Sequence, residues 1–123
     1  MLLVGAQAVA QQTALTDAQT KSADVEVPRL IELLELKPGM TVADVGAGFG
    51  AWTMRFAREL GPTGRVYATD IGAAQLAALR DVIQRERLNN VTVIEGAVNS
   101  TNLPALCCDA ILIRHAYHHL TRP

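Results

Sequence analysis

Between Thr41 and Ala51 the chain reads Thr-Val-Ala-Asp-Val-Gly-Ala-Gly-Phe-Gly-Ala, and the chemistry it offers is a bare-backbone cradle beside a carboxylate. Gly46, Gly48 and Gly50 carry no Cβ, so the chain can turn sharply and a ligand can come close to the main chain. A helix following from about Ala51 to Leu60 would aim its free N–H groups and positive dipole end at the loop, a setting that suits a carboxylate or phosphate. Gly46-x-Gly48-x-x-Ala51 meets the loose dinucleotide fingerprint, in which alanine can replace the third glycine. Asp44, two residues before the first glycine, argues the other way, because a carboxylate repels a pyrophosphate and attracts a cation. The loop therefore favours a ligand with a cationic, amino-acid-like end.

The elements that must hold this cradle can be read around it. Val42, Ala43 and Val45 suit a strand buried on both faces. After the loop, Trp52, Phe56, Ala57 and Leu60 fall on one helical stripe, with Trp52 read as core packing rather than substrate stacking, and Gly61-Pro62 stops the helix. Arg65 to Thr69 is a second strand ending at Asp70, about twenty residues past the loop, where nucleotide-binding α/β folds place an acidic acceptor for ribose hydroxyls. The competing reading of Asp70 is a helix N-cap ahead of Gly72. Ala73 to Leu88 is an amphipathic helix with a solvated charged face, Val91 to Glu95 a third strand, and Asp109 to Arg114 a fourth. Upstream, Val27, Leu30, Ile31, Leu33 and Leu34 predict a helix from Val25, with Pro28 in its first turn and an end before Lys37-Pro38-Gly39.

His115-Ala116-Tyr117-His118-His119 follows the fourth strand, on the side of a parallel sheet where ligands sit. His115 and His119 would share a face of a helix, but no cysteine or carboxylate pattern completes a metal shell, so no metal is expected. A histidine here could serve as a general base, its pKa being near neutral. His118 is the candidate for that role or for a substrate contact, beside a plain packing role.

Asp44-Val45-Gly46-Ala47-Gly48-Phe49-Gly50 resembles the first motif of class I S-adenosylmethionine-dependent methyltransferases. The lead-in Leu36-Lys37-Pro38-Gly39-Met40 and the run from Gly61 to Asp70 are similar to that family too, and the likeness extends from about Pro28 to the last residue. The resemblance implies an α/β, Rossmann-like, doubly wound parallel sheet, incomplete at about four strands in the order 3-2-1-4. It implies S-adenosyl-L-methionine as cofactor and methyl transfer to a small-molecule acceptor. Asp44 would orient the methionine end, Gly46, Ala47, Gly48 and Gly50 would admit it, and Asp70 with Ile71 would hold the ribose. The family commonly has a carboxylate after the third strand beside the adenine amino group; Ala97 stands there, which leaves the adenine to backbone groups of Ala97 and Val98 or to Asn99. Arg114, at the end of the fourth strand, falls in the segment that contacts cofactor and substrate.

Composition narrows the alternatives. The 123 residues, 50% of them hydrophobic, suffice for one small domain, and eleven basic against twelve acidic side chains leave a net charge of −1 with no basic block, so nucleic acid is not an expected partner. Cys107 and Cys108 are adjacent and cannot staple distant segments; they read as two small residues at the start of a buried strand. Residues 1–24 form an N-terminal extension, and residues 25–123 the partial cofactor-binding domain. Leu2 to Ala10 is apolar, with Ala8-Val9-Ala10 resembling a signal-peptidase site but no preceding Lys or Arg. It is too short to span a membrane, and the expected location is cytoplasmic, with export the alternative. A chain ending after the fourth strand looks truncated relative to a family with seven, and it would leave Ala110-Ile111-Leu112-Ile113 as a bare edge prone to self-association. Two rivals stand beside the methyltransferase reading: a dinucleotide-binding oxidoreductase, and a non-catalytic fragment that binds cofactor or assembles with a partner.

Overall fold

The computed structural model describes residues 15–113; the apolar start of the chain, Arg114 and the histidine run through His119, His118 included, lie outside the described residues. Four strands, β1 (Thr41–Val45), β2 (Arg65–Asp70), β3 (Val91–Glu95) and β4 (Ala110–Ile113), form one sheet in the order β3-β2-β1-β4. All three pairings are parallel. The helices α1 (Asp17–Leu33), α2 (Ala51–Leu60) and α3 (Ala73–Arg85) precede or connect the strands. The expected α/β fold and strand order are therefore present.

β1 is central, and its sequence shows why: after the half-buried Thr41, Val42, Ala43, Asp44 and Val45 are all buried, so none of these four faces water and no polar alternation is needed. Val42 and Val66 face the main core, where Phe56, Ala57 and Leu60 of α2 meet Ala23 and Val27 of α1. Burying a side chain such as Phe56, Leu60 or Val27 completely contributes about 1.5–3 kcal/mol. The opposite face of β1 is not left open either, since Ala43 and Val45 are 0% and 3% exposed.

α1 begins eight residues before the expected Val25, and a capping box explains it. Thr16 Oγ1 accepts the Gln19 N–H at 3.2 Å, and Gln19 Oε1 accepts the Thr16 N–H at 3.0 Å. The pair satisfies two donors that a helix start otherwise leaves unbonded. Pro28 consequently lies inside the helix rather than in its first turn. A boundary at residue 24 falls within this helix, whose Arg55 partner on α2 pairs with Asp24 at 3.0 Å.

The fourth strand begins one residue later than expected, at Ala110. Asp109 forms the bend before it, its N–H bonding the Thr41 carbonyl and its Oδ2 accepting the Thr41 N–H, each at 2.8 Å. Cys107 and Cys108 are not part of the strand; they lie between the turn at Ala105 and Leu106 and the bend at Asp109, half-buried, and are bonded to each other as a disulfide. Ala110 and Leu112 pack on the core, whereas Ile111 and Ile113 are each 53% exposed. Among the described residues β4 pairs only with β1. No helix among them is long and apolar enough to cross a membrane.

Candidate functional site

The parallel registers bring Val45, Asp70, Glu95 and Ile113 to one end of the sheet, and the loop after β1 folds over that end. The N–H groups of Gly46 and Ala47 both bond the Thr69 carbonyl, at 2.9 and 3.0 Å, so the first turn of the loop is tied to β2. Gly46, Gly48 and Gly50 all have left-handed φ, at 76°, 62° and 95°. They nevertheless face different surroundings. A Cβ on Gly50 would meet Val82 Cγ1 at 3.1 Å and Leu79 Cδ2 at 3.2 Å, so glycine lets α3 pack against the loop. A Cβ on Gly48 would meet nothing within 4 Å and would project into open space.

That space is a cleft of about 430 Å³, within the range of roughly 300–1,000 Å³ usual for small-molecule sites. Its floor is Gly46, Ala47, Gly48 and Phe49; α2 supplies Ala51 and Trp52; the end of β2 and start of α3 supply Asp70, Ile71, Gly72 and Gln75; and Leu15, just ahead of α1, closes one side with Gln19 and Ser22 of that helix. Asp70 is the only charged residue among these. A pyrophosphate would find no cation on this lining, only a carboxylate. A ligand with hydroxyls or positive charge is better matched.

Asp70 is held from three directions. Its Oδ2 accepts the Gly48 N–H at 2.9 Å, and its Oδ1 accepts the N–H groups of Ile71 and Gly72 at 2.7 and 3.1 Å. It therefore braces the turn into α3 without capping that helix, whose N-cap is Gly72, and it also lines the cleft. Of the roughly four lone-pair positions of a carboxylate, about one is left for a ligand hydroxyl. A second ligand hydroxyl would have to displace the Gly48 N–H.

Asp44 is placed differently from the other candidates. It is fully buried beneath the loop, with Thr53 Oγ1 of α2 donating to its Oδ2 at 2.8 Å, and it does not line the cleft. Its charge lies under the start of α2 rather than on the surface a ligand would touch. Gly50 also lies behind the lining, as the N-cap of α2. The turn after β3 is joined to the site through the Gly96 N–H, which bonds the Asp70 carbonyl at 2.9 Å. Ala97 and Ser100 close that turn through reciprocal backbone bonds of 2.6 and 3.2 Å. Val98 is 53% exposed at its tip. Ala97 and Val98 are thus beside the cleft without lining it; Arg114 and His118 lie outside the described residues.

Trp52 combines two readings kept apart at the sequence level. Its ring packs against Phe56, with centroids 6.3 Å apart, and also forms cleft wall. Leu15, Gln19, Ser22, Phe49 and Gln75 were not singled out from sequence. For Gln19 a signal existed in the Thr16-x-x-Gln19 spacing, whereas Gln75 is placed only by the docking of α3.

Comparison with known proteins agrees with this geometry. A family model described as a methyltransferase domain matches residues 42–123. A protein-L-isoaspartate O-methyltransferase from Methanothrix thermoacetophila is 36% identical over 78 residues, covering 63% of this chain and 37% of that protein. The ubiquinone/menaquinone biosynthesis C-methyltransferase UbiE of Burkholderia vietnamiensis is 37% identical over 75 residues, covering 61% of this chain and 26% of that protein. Among solved structures, a SAM-dependent methyltransferase from Aquifex aeolicus superposes with a TM-score of 0.72 at 27% identity, over 89% of this chain and 62% of that one. The chain thus spans well under half the length of these two curated relatives.

Proposed function

The chain belongs to the methyltransferase-domain family, its cofactor class is that of the S-adenosylmethionine-dependent enzymes, and from that premise we propose that the cleft beside Gly48 binds S-adenosyl-L-methionine for methyl transfer to a small-molecule acceptor. The observation that carries the assignment is the pairing of Asp70 with the open face of Gly48: an acceptor for ribose hydroxyls stands beside a backbone no side chain covers. When bound, the cofactor supplies a methyl group activated on a sulfonium.

The chain's own residues hold and orient. Gly46, Ala47 and Gly48 leave room for the amino-acid end, near the start of α2, where the helix dipole favours its carboxylate. Asp44 favours its ammonium from beneath the loop, and Gly50 keeps α3 close enough for Ile71 to flank the ribose. Backbone groups of Ala97 and Val98 meet the adenine, and Arg114 borders cofactor and substrate. His118 takes the acceptor's proton or contacts the acceptor. Catalysis then rests mainly on positioning the acceptor in line with the sulfonium.

The cofactor-binding unit of residues 25–123 also takes in the start of α1, because Leu15, Gln19 and Ser22, within the 1–24 extension, wall the cleft. The reading places the protein in the cytoplasm, with no nucleic-acid partner. Two copies associate through β4, which among the described residues pairs only with β1 and whose Ile111 and Ile113 are half exposed. Light scattering over a concentration series should show association that Ile111→Lys reduces; a wild-type monomer at all concentrations contradicts it. For the cleft, ultraviolet cross-linking of methyl-labelled cofactor should mark peptides containing Gly46 to Trp52 or Asp70 to Gln75. S-adenosylhomocysteine should suppress the labelling and NAD should not. Labelling confined to other peptides would overturn the assignment.

A further inference from the structure

Cys107 and Cys108 have no part in the cleft. The disulfide between them lies just before Asp109, whose two bonds to Thr41 mark the amino-terminal ends of β1 and β4. The cleft is at the carboxyl ends, a strand length of roughly 15 Å away. The pair is half-buried, and Leu106 beside it is fully exposed in a left-handed turn at φ 55°. A small reagent can therefore reach the sulfurs without opening the core.

We propose that Cys107 and Cys108 form a redox-gated binding site for a thiophilic trivalent metalloid, the reduced pair chelating one arsenic(III) centre and the disulfide closing the site. Consecutive residues whose sulfurs are close enough to bond already hold two soft donors together, so a second sulfur–ligand bond requires no long-range loop closure. Among the described residues no group of three or more His, Cys, Asp or Glu side chains could hold a metal ion. A cation that takes four protein ligands, such as structural zinc, is therefore poorly served. A centre that asks the protein for two thiolates and brings its own third substituent fits the donor set, in keeping with thiolate selection of soft partners.

Opening the site is a two-electron exchange with a dithiol reductant. One reductant thiolate attacks a cysteine sulfur, the Cys107–Cys108 bond breaks, and the reductant's second thiol displaces the mixed disulfide. The reductant ends as a disulfide and the chain as two thiols. With phenylarsine oxide each thiol then forms one As–S bond, the two protons leave with the arsenic-bound oxygen as water, and arsenic stays trivalent.

The test uses the full chain, reduced or oxidised, with phenylarsine oxide as probe and intact mass as readout. The reduced chain should gain one phenylarsenic group that survives excess glutathione and is released by 2,3-dimercaptopropanol, while the disulfide form gains none. Cys107→Ser and Cys108→Ser should each hold the probe against glutathione roughly 10²-fold less well, the usual scale of an intramolecular second contact. No adduct on the folded, reduced chain would overturn the proposal. So would an equally durable adduct on the oxidised chain or on either serine variant, and the oxidised wild type provides that comparison without any substitution.

Discussion

Gly48 and Gly50, two residues apart in one loop, should respond differently to the same substitution. Both have left-handed φ, 62° and 95°, so alanine at either costs about 1–2 kcal/mol in backbone strain alone. At Gly48 the added methyl meets no atom within 4 Å, and the backbone term is the whole cost. At Gly50 the methyl would press on Val82 and Leu79 at 3.1 and 3.2 Å. Those side chains are 3% and 0% exposed and can give way only by disturbing the packing of α3, which adds about 1–3 kcal/mol. Gly50→Ala should therefore lose about 2–5 kcal/mol and Gly48→Ala about 1–2 kcal/mol. For a domain of this size each kcal/mol moves Tm by about 4–8 °C. Urea unfolding followed by circular dichroism measures the first quantity, and titration with S-adenosylhomocysteine the second. Gly48→Ala should keep most of its stability yet bind weakly, because its methyl enters the space left for the ligand. Equal destabilisation by both substitutions, or full binding by Gly48→Ala, would refute the reasoning.

Two further substitutions probe the scaffold around the site. Thr53→Val removes the hydroxyl that donates to buried Asp44 at 2.8 Å and should cost about 1–3 kcal/mol in urea unfolding, while Thr53→Ser retains most of the wild-type value. Asn90 Nδ2 donates to the carbonyls of Ala57 and Gly61, at 2.8 and 2.9 Å, at the end of α2. Asn90→Ala should cost about 1–3 kcal/mol. Asn90→Asp should be at least as harmful, since an ionised carboxylate would face those two carbonyls with no proton to offer.

The parts of the fold legible in the sequence are those whose signal is local. β1 announces itself because a central parallel strand must be apolar on both faces, and the glycines after it mark where the chain turns. The place of Asp70 at the cleft was legible from its distance beyond that loop; its carboxylate braces the turn into α3 rather than capping that helix, whose N-cap is Gly72. The start of α1 was obscured because Gln11 to Ala23 is polar and small; only Ala23 and Val27 of that helix are buried, too few to set up an apolar period. What announces α1 is the reciprocal bonding of Thr16 and Gln19, a capping signal rather than a hydrophobic one. The place of Asp44 under the loop could not be read from its spacing, which fixes its distance from the glycines but not the side of the strand on which Thr53 meets it. Adjacency of Cys107 and Cys108 excluded a long-range staple, yet it left the local bond between them unaddressed.

The most direct measurement is calorimetric titration of the purified chain with S-adenosylmethionine, S-adenosylhomocysteine and NAD, alongside Asp70→Ala. The hydroxyl contacts to a charged acceptor are worth about 1.5–3 kcal/mol, so the substitution should weaken adenosyl binding by roughly 10- to 150-fold. Saturable binding of both adenosyl ligands to the wild type, weakened in this way by Asp70→Ala and absent for NAD, is the expected result. A folded wild-type chain that binds neither adenosyl ligand, or binds them unchanged after Asp70→Ala, would contradict the assignment of the cleft.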